Sequence, residues 1–132
     1  MTRLRIQMLF ALGVLCVVPP AWSAGLLKWE RESVDVAAQP GQRVVHVDFP
    51  FMNCGNKPVT IVSVETSCRC TSADSSKKTY APGEKDAISV DFTVGGQEGL
   101  VVKSVTVTTD GAELSPFTLT LRVTIPRPDR AR

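Results

Sequence analysis

The chain has 132 residues, with 15 Lys and Arg against 13 Asp and Glu and a single His. That length supports one domain rather than two. Arg3 and Arg5 fall in a leader segment, and without them 13 basic residues balance 13 acidic ones. A neutral domain is a poor candidate for nucleic-acid binding, which needs clustered positive charge, and one His excludes a His-rich metal site.

Residues 1–23 read as a secretory signal peptide. Arg3 and Arg5 supply the positive start, residues 6–18 a short apolar run, and Ala21-Trp22-Ser23 a small-x-small cleavage site after Pro19 and Pro20. The apolar run is too short for a spanning helix, which needs about 20 residues. Cys16 lies inside that run and goes with it. The expected product is exported, periplasmic or extracellular, without a membrane span. Residues 24–126 form the domain and residues 127–132 a basic C-terminal tail.

Leu26 to Trp29 make a short apolar entry, with Trp29 as a core plug, and residues 33–37 a first short strand. Gln39-Pro40-Gly41-Gln42 is a turn. Residues 43–51 then alternate, with Val45, Val47, Phe49 and Phe51 on one face and His46 and Asp48 on the other. That is a half-buried strand with a solvated outer face. His46 and Asp48 form the only pair resembling a general base, and no nucleophile is visibly placed to use it. Asn53-Cys54-Gly55-Asn56-Lys57-Pro58 reads as a turn in which Asn and Gly supply positive φ. Residues 59–65 are apolar at Val59 and Ile61 and also at Val62 and Val64, which predicts a central strand covered on both faces.

Residues 66–79 are polar and read as a loop with room for one short edge strand. Tyr80-Ala81-Pro82-Gly83-Glu84 is a turn, residues 87–94 alternate again, and the glycine-rich segment 95–99 precedes a strand. It therefore lacks the helix and Lys-Ser/Thr of a phosphate loop. Strands over residues 100–109 and 117–125 complete six or seven. With no helical periodicity after the leader, the pattern predicts an all-β, immunoglobulin-like antiparallel β-sandwich. It lacks the Cys…Trp…Cys spacing of antibody domains, so apolar packing must hold it.

The chain resembles a bacterial family of exported domains, domain-of-unknown-function family 1573. Phe49-x-Phe51-x-Asn53-x-Gly55, Pro58-Val59-x-Ile61, Ser67-Cys68-Arg69-Cys70-Thr71 and Tyr80-Ala81-Pro82-Gly83-Glu84 carry the likeness, which extends over about residues 29–125. It implies an immunoglobulin-like fold similar to major sperm protein and Hydin-type modules, which bind or scaffold rather than catalyse. Arg69 stands where the family usually has Gly, and Cys54 is not part of the pattern.

Three cysteines follow the leader. A straight strand over residues 59–65 would place Cys68 some 30 Å from the Cys54 turn, beyond disulfide reach. Cys68 and Cys70, if extended, share a face with Cα atoms about 6.6 Å apart. Four readings stay open. The cysteines are structural, buried or joined as a Cys68–Cys70 disulfide; Cys68 and Cys70 are a soft-metal site, with Cu(I) the best fit; they are a thiol–disulfide redox pair; or Cys54 forms an intermolecular bond. The expected function is an exported, non-catalytic interaction or scaffold module with no resident cofactor. Its partner would be a protein of the cell envelope.

Overall fold

The computed structural model describes residues 26–111 and 115–127. The leader and tail residues 128–132 lie outside that range. Nine strands follow one another among the described residues: β1 (Leu27–Trp29), β2 (Ser33–Ala37), β3 (Val44–Asn53), β4 (Val59–Thr66), β5 (Thr71–Ser75), β6 (Thr79–Tyr80), β7 (Lys85–Thr93), β8 (Gly99–Thr109) and β9 (Phe117–Ile125). They build two sheets, β1-β3-β7-β5 and β2-β9-β8-β4-β6. All pairings are antiparallel except β2 with β9. This is the expected β-sandwich.

Alternation sets the core. Val45, Val47, Phe49 and Phe51 on β3 line one inner face beside Ile88, Val90 and Phe92 on β7, and Leu119, Leu121 and Val123 on β9 line the inner face of the other sheet, all buried. Each such side chain contributes roughly 1.5–3 kcal/mol by leaving water. Trp29 packs on Phe51 and Phe117, with ring centroids 5.1 and 5.8 Å away, as a plug at one end. Its indole N–H has no acceptor among the described residues.

Strand β4 is not covered on both faces. A bulge lies between Ile61 and Ser63 and leaves Val62 61% exposed. An extra residue shifts the period-two alternation by one. Val59 and Ile61 before the bulge and Val64 after it therefore all face the same core. Two apparent apolar faces are one face interrupted.

The 66–79 segment holds two strands rather than one, the edge strand β5 and the two-residue β6. The turn after β3 also forms differently from expectation. Among the described residues none other than glycine has positive φ, and Gly55 is not among those that do. Side-chain hydrogen bonds from Asn53 close the turn instead.

Candidate functional site

The Asn53 end of the sandwich is a framework. Asn53 is fully buried. Its Oδ1 accepts from the N–H groups of Gly55 at 3.0 Å and Leu26 at 3.3 Å. Its Nδ2 donates to the carbonyls of Lys57 at 2.8 Å and Tyr80 at 2.9 Å. Its main-chain N–H donates to Glu84 O, and its carbonyl accepts from Gly83 N–H. The two quoted motifs around Asn53 and around Pro82-Gly83-Glu84 are thus one cluster. Gly83, at φ +83°, makes the turn that delivers that N–H.

Buried Tyr80 packs edge-on to Phe51 at 4.9 Å. Its hydroxyl lies 2.7 Å from Lys77 O and 2.8 Å from Asp86 Oδ2. Burial, and then the Asp86 carboxylate, push the phenol above its usual range. Burial would raise Asp86, but donors from Ser76, Tyr80 and Ala87 N–H outweigh it and hold the carboxyl below its usual range.

The outer face of the β3–β7 sheet carries the only His. Its Nδ1 lies 2.6 Å from Asp91 Oδ1 and its Nε2 3.3 Å from Asp48 Oδ1. The Asp91 hydrogen bond is the largest influence on the imidazole and raises its pKa. Ser89 Oγ donates to Asp48 at 2.7 Å, so its proton is directed to a carboxylate and not to the imidazole. A nucleophile–base hydrogen bond is the first geometric requirement of covalent catalysis, and this cluster lacks it.

The cysteine turn stands at the opposite end, where the chain changes sheets. Ser67 N–H donates to Ser104 O at 3.0 Å, on β8 of one sheet. Thr93 N–H, at the end of β7 in the other sheet, donates to Cys70 O at 2.7 Å. Between them Cys68 and Cys70 are bonded through sulfur, with Cα atoms 5.4 Å apart. The separation is shorter than in an extended strand because β4 stops at Thr66 and Thr71 N–H closes back on Cys68 O at 3.3 Å. Arg69 is exposed at the tip without positive φ. The buried Thr71 hydroxyl lies 3.6 Å from Cys68 Sγ and 3.9 Å from Cys70 Sγ. In this bonded state neither sulfur is a thiolate, the form that ligates a metal. Among the described residues no three His, Cys, Asp or Glu side chains form a ligand set. Cys54 is half-buried at the other end of β4, its N–H bonded to Leu26 O.

Among the described residues this end of the sandwich has two openings. One is a cleft of about 780 Å³ lined by residues that include Gln42, Arg43, Thr93, Gln97 and Arg127. The other is a stretch of bare strand. Strand β8 pairs with β9 from Gly99 to Val107, but with β4 only from Val105 onward. From Gly99 to Lys103, no described strand lies on the β4 side. Leu100 and Val102 point outward there, 66% and 53% exposed. Sequence reading missed this stretch because nothing in β8 announces where its neighbour stops. No helix among the described residues is long and apolar enough to cross a membrane.

A family model described as "Protein of unknown function (DUF1573)" matches residues 27–125. No curated protein matches the chain. Among solved structures, a protein of unknown function from Porphyromonas gingivalis W83 is similar at TM-score 0.67 and 10% identity, covering 82% of this chain and 50% of that one. The ASH/PapD-like domain of human CEP192 (PapD-like domain 7) is similar at TM-score 0.59 and 11% identity, covering 88% and 98%. The periplasmic chaperone SfaE is similar at TM-score 0.56 and 12% identity, covering 77% and 60%. The chain spans half the length of the first of these. Identities this low establish a shared immunoglobulin-type, PapD-like fold and no common chemistry.

Proposed function

The chain belongs to the DUF1573 family of proteins of unknown function, and from that premise we propose that it is a non-catalytic protein-binding module of the bacterial cell envelope. The observation that carries this reading is the sandwich end at the cysteine corner. It combines exposed apolar side chains, a length of β8 with no described neighbour on one side and converging loops. Such ends and edges are where sandwich domains take up other proteins. The fold shared with a periplasmic chaperone and a PapD-like domain supports it. So does the outer-face His cluster, whose hydrogen bonds satisfy one another rather than prime a nucleophile. The leader supports export, with Ala24 as the mature first residue.

A photo-crosslinking residue placed in turn at Arg69, Gln97 and Val102 in the exported protein tests the reading. Covalent adducts to an envelope protein from one of these sites support it. Adducts from none of them overturn it. N-terminal sequencing of the same material checks the cut after Ser23.

A second reading is thiol–disulfide exchange at Cys68 and Cys70, favoured by the Thr71 hydroxyl, which is placed to donate to a thiolate at either sulfur. A partner dithiol would pass two electrons to the bond, leaving two thiols here and a disulfide there. Cu(I) binding at the same pair would require that reduction first. The exchange reading fails when the reduced pair is alkylated no faster than free cysteine at neutral pH.

A further inference from the structure

We infer that the bare length of β8 from Gly99 to Lys103 accepts an extended segment of a partner protein as an added strand. The accepted segment is recognised by an acidic residue followed by three apolar ones. The inference rests on the binding-module reading and names where and what that module binds.

The hydrogen-bonding direction is fixed by Ser104. Its carbonyl accepts from Ser67 N–H at 3.0 Å and its N–H donates to Ser67 Oγ at 3.1 Å, so its main-chain groups point toward the β4 side. Main-chain groups alternate sides with period two along a strand. Those of Val102 and Leu100 therefore point the same way, beyond the place where the chain turns into the cysteine corner. Two N–H and two C=O groups in a row, with no described strand beside them, form a template for strand addition. Strand β4 reaches this line antiparallel to β8, and a guest continuing that line would be antiparallel too.

The side chains name the guest. Outward, Leu100 and Val102 offer exposed apolar surface, which favours apolar residues opposite them. Inward, Val101 packs against the core. Lys103 reaches into the gap between the sheets, with its ammonium 5.9 Å from the Phe92 ring centroid. Lys103 has no acidic partner among the described residues. An Asp or Glu opposite Lys103 would supply one in a partly desolvated place, where a charge pair is screened less than at the surface. In an antiparallel guest that acidic residue comes first, and residues opposite Val102, Val101 and Leu100 follow. An inward lysine on an exposed edge also hinders indiscriminate pairing. The same residue therefore guards the edge and selects its guest.

The test uses the mature protein and two fluorescent peptides sharing one apolar core, headed Asp-Val-Leu-Val or Lys-Val-Leu-Val. The acidic peptide should bind and the basic one should bind about tenfold more weakly or worse, with Lys103→Glu reversing the order. An acidic peptide N-methylated at the residues facing Val102 and Leu100 should lose binding, which no loop or cleft contact requires and which needs no protein variant. No binding of the acidic peptide up to about 1 mM, or equal binding of both that ignores Lys103→Glu, overturns the inference. So does a concentration-dependent dimer abolished by Lys103→Glu, which would make a second copy the occupant. Crosslinks from Arg69 or Gln97 without any from Val102 would leave the module reading standing and this inference refuted.

Discussion

The side-chain amide of Asn53 and the main-chain carbonyl of Tyr80 are joined by a hydrogen bond of 2.9 Å between residues 27 positions apart. The bond ties the end of β3 to β6, in the opposite sheet. The same amide holds the turn after β3 and the entry to β1, so one buried side chain organises a whole end of the domain.

Asn53→Ala should cost about 3 kcal/mol, because it leaves the buried Tyr80 carbonyl, the part-buried Lys57 carbonyl and two part-buried N–H groups without their partner. Asn53→Asp should fare no better, since a carboxylate cannot donate to the carbonyls of Lys57 and Tyr80. Urea unfolding curves monitored by circular dichroism check both; a loss within experimental error would show that water replaces the amide.

Trp29 gives a paired comparison. Trp29→Ala removes the plug between Phe51 and Phe117 and should cost about 3–5 kcal/mol. Trp29→Phe keeps an aromatic ring and removes a buried donor that has no acceptor among the described residues, so its loss should be about 1 kcal/mol or less. Equal losses for the two would mean that the indole N–H is satisfied in solution.

The imidazole of His46 should titrate above its reference value of 6.5, chiefly through Asp91. A raised folded-state pKa stabilises the fold in full below 6.5 while the carboxylates stay ionised, and the contribution is lost as pH rises through the folded value. An NMR titration of the ring protons should show the raised pKa, with Asp91→Asn lowering it. A His46 pKa unchanged by Asp91→Asn would disprove the pairing.

Removing the Cys68–Cys70 bond should leave the domain folded. A cross-link spanning so short a loop constrains the unfolded chain by only about 1–2 kcal/mol. Cys68→Ser with Cys70→Ser should therefore lower Tm by several degrees without loss of cooperativity. Unfolding of the double variant at ambient temperature would instead make the corner indispensable to the fold.

The sandwich was legible because alternation in β3, β7 and β9 is clean and each has one dry face. Trp29 and the solvated His46 face were legible for the same reason. The register of β4 was not, since a bulge at Val62 shifts the pattern by one residue and the sequence carries no mark of it. Asn53 read as a turn former, whereas its work is done by a side chain reaching residues far along the chain. The bare stretch of β8 depends on where β4 ends, a relation between two strands that neither sequence contains. The parallel pairing of β2 with β9 was hidden likewise: both segments read as strands, and their partner choice is tertiary.

The corner at residues 67–70 also determines where the domain can lengthen. Ser67 is bonded to one sheet and Cys70 to the other, with two residues between. An inserted residue there must break one of those bonds or move the sheets relative to each other. The loop after β7 is unlike it: Gly95 and Gly96 stand in open space, and loops of this kind take insertions at little entropic cost. Elaborations of this fold, natural or engineered, are therefore expected to grow from the β7–β8 connection, on the rim of the cleft, while the cysteine corner keeps its length.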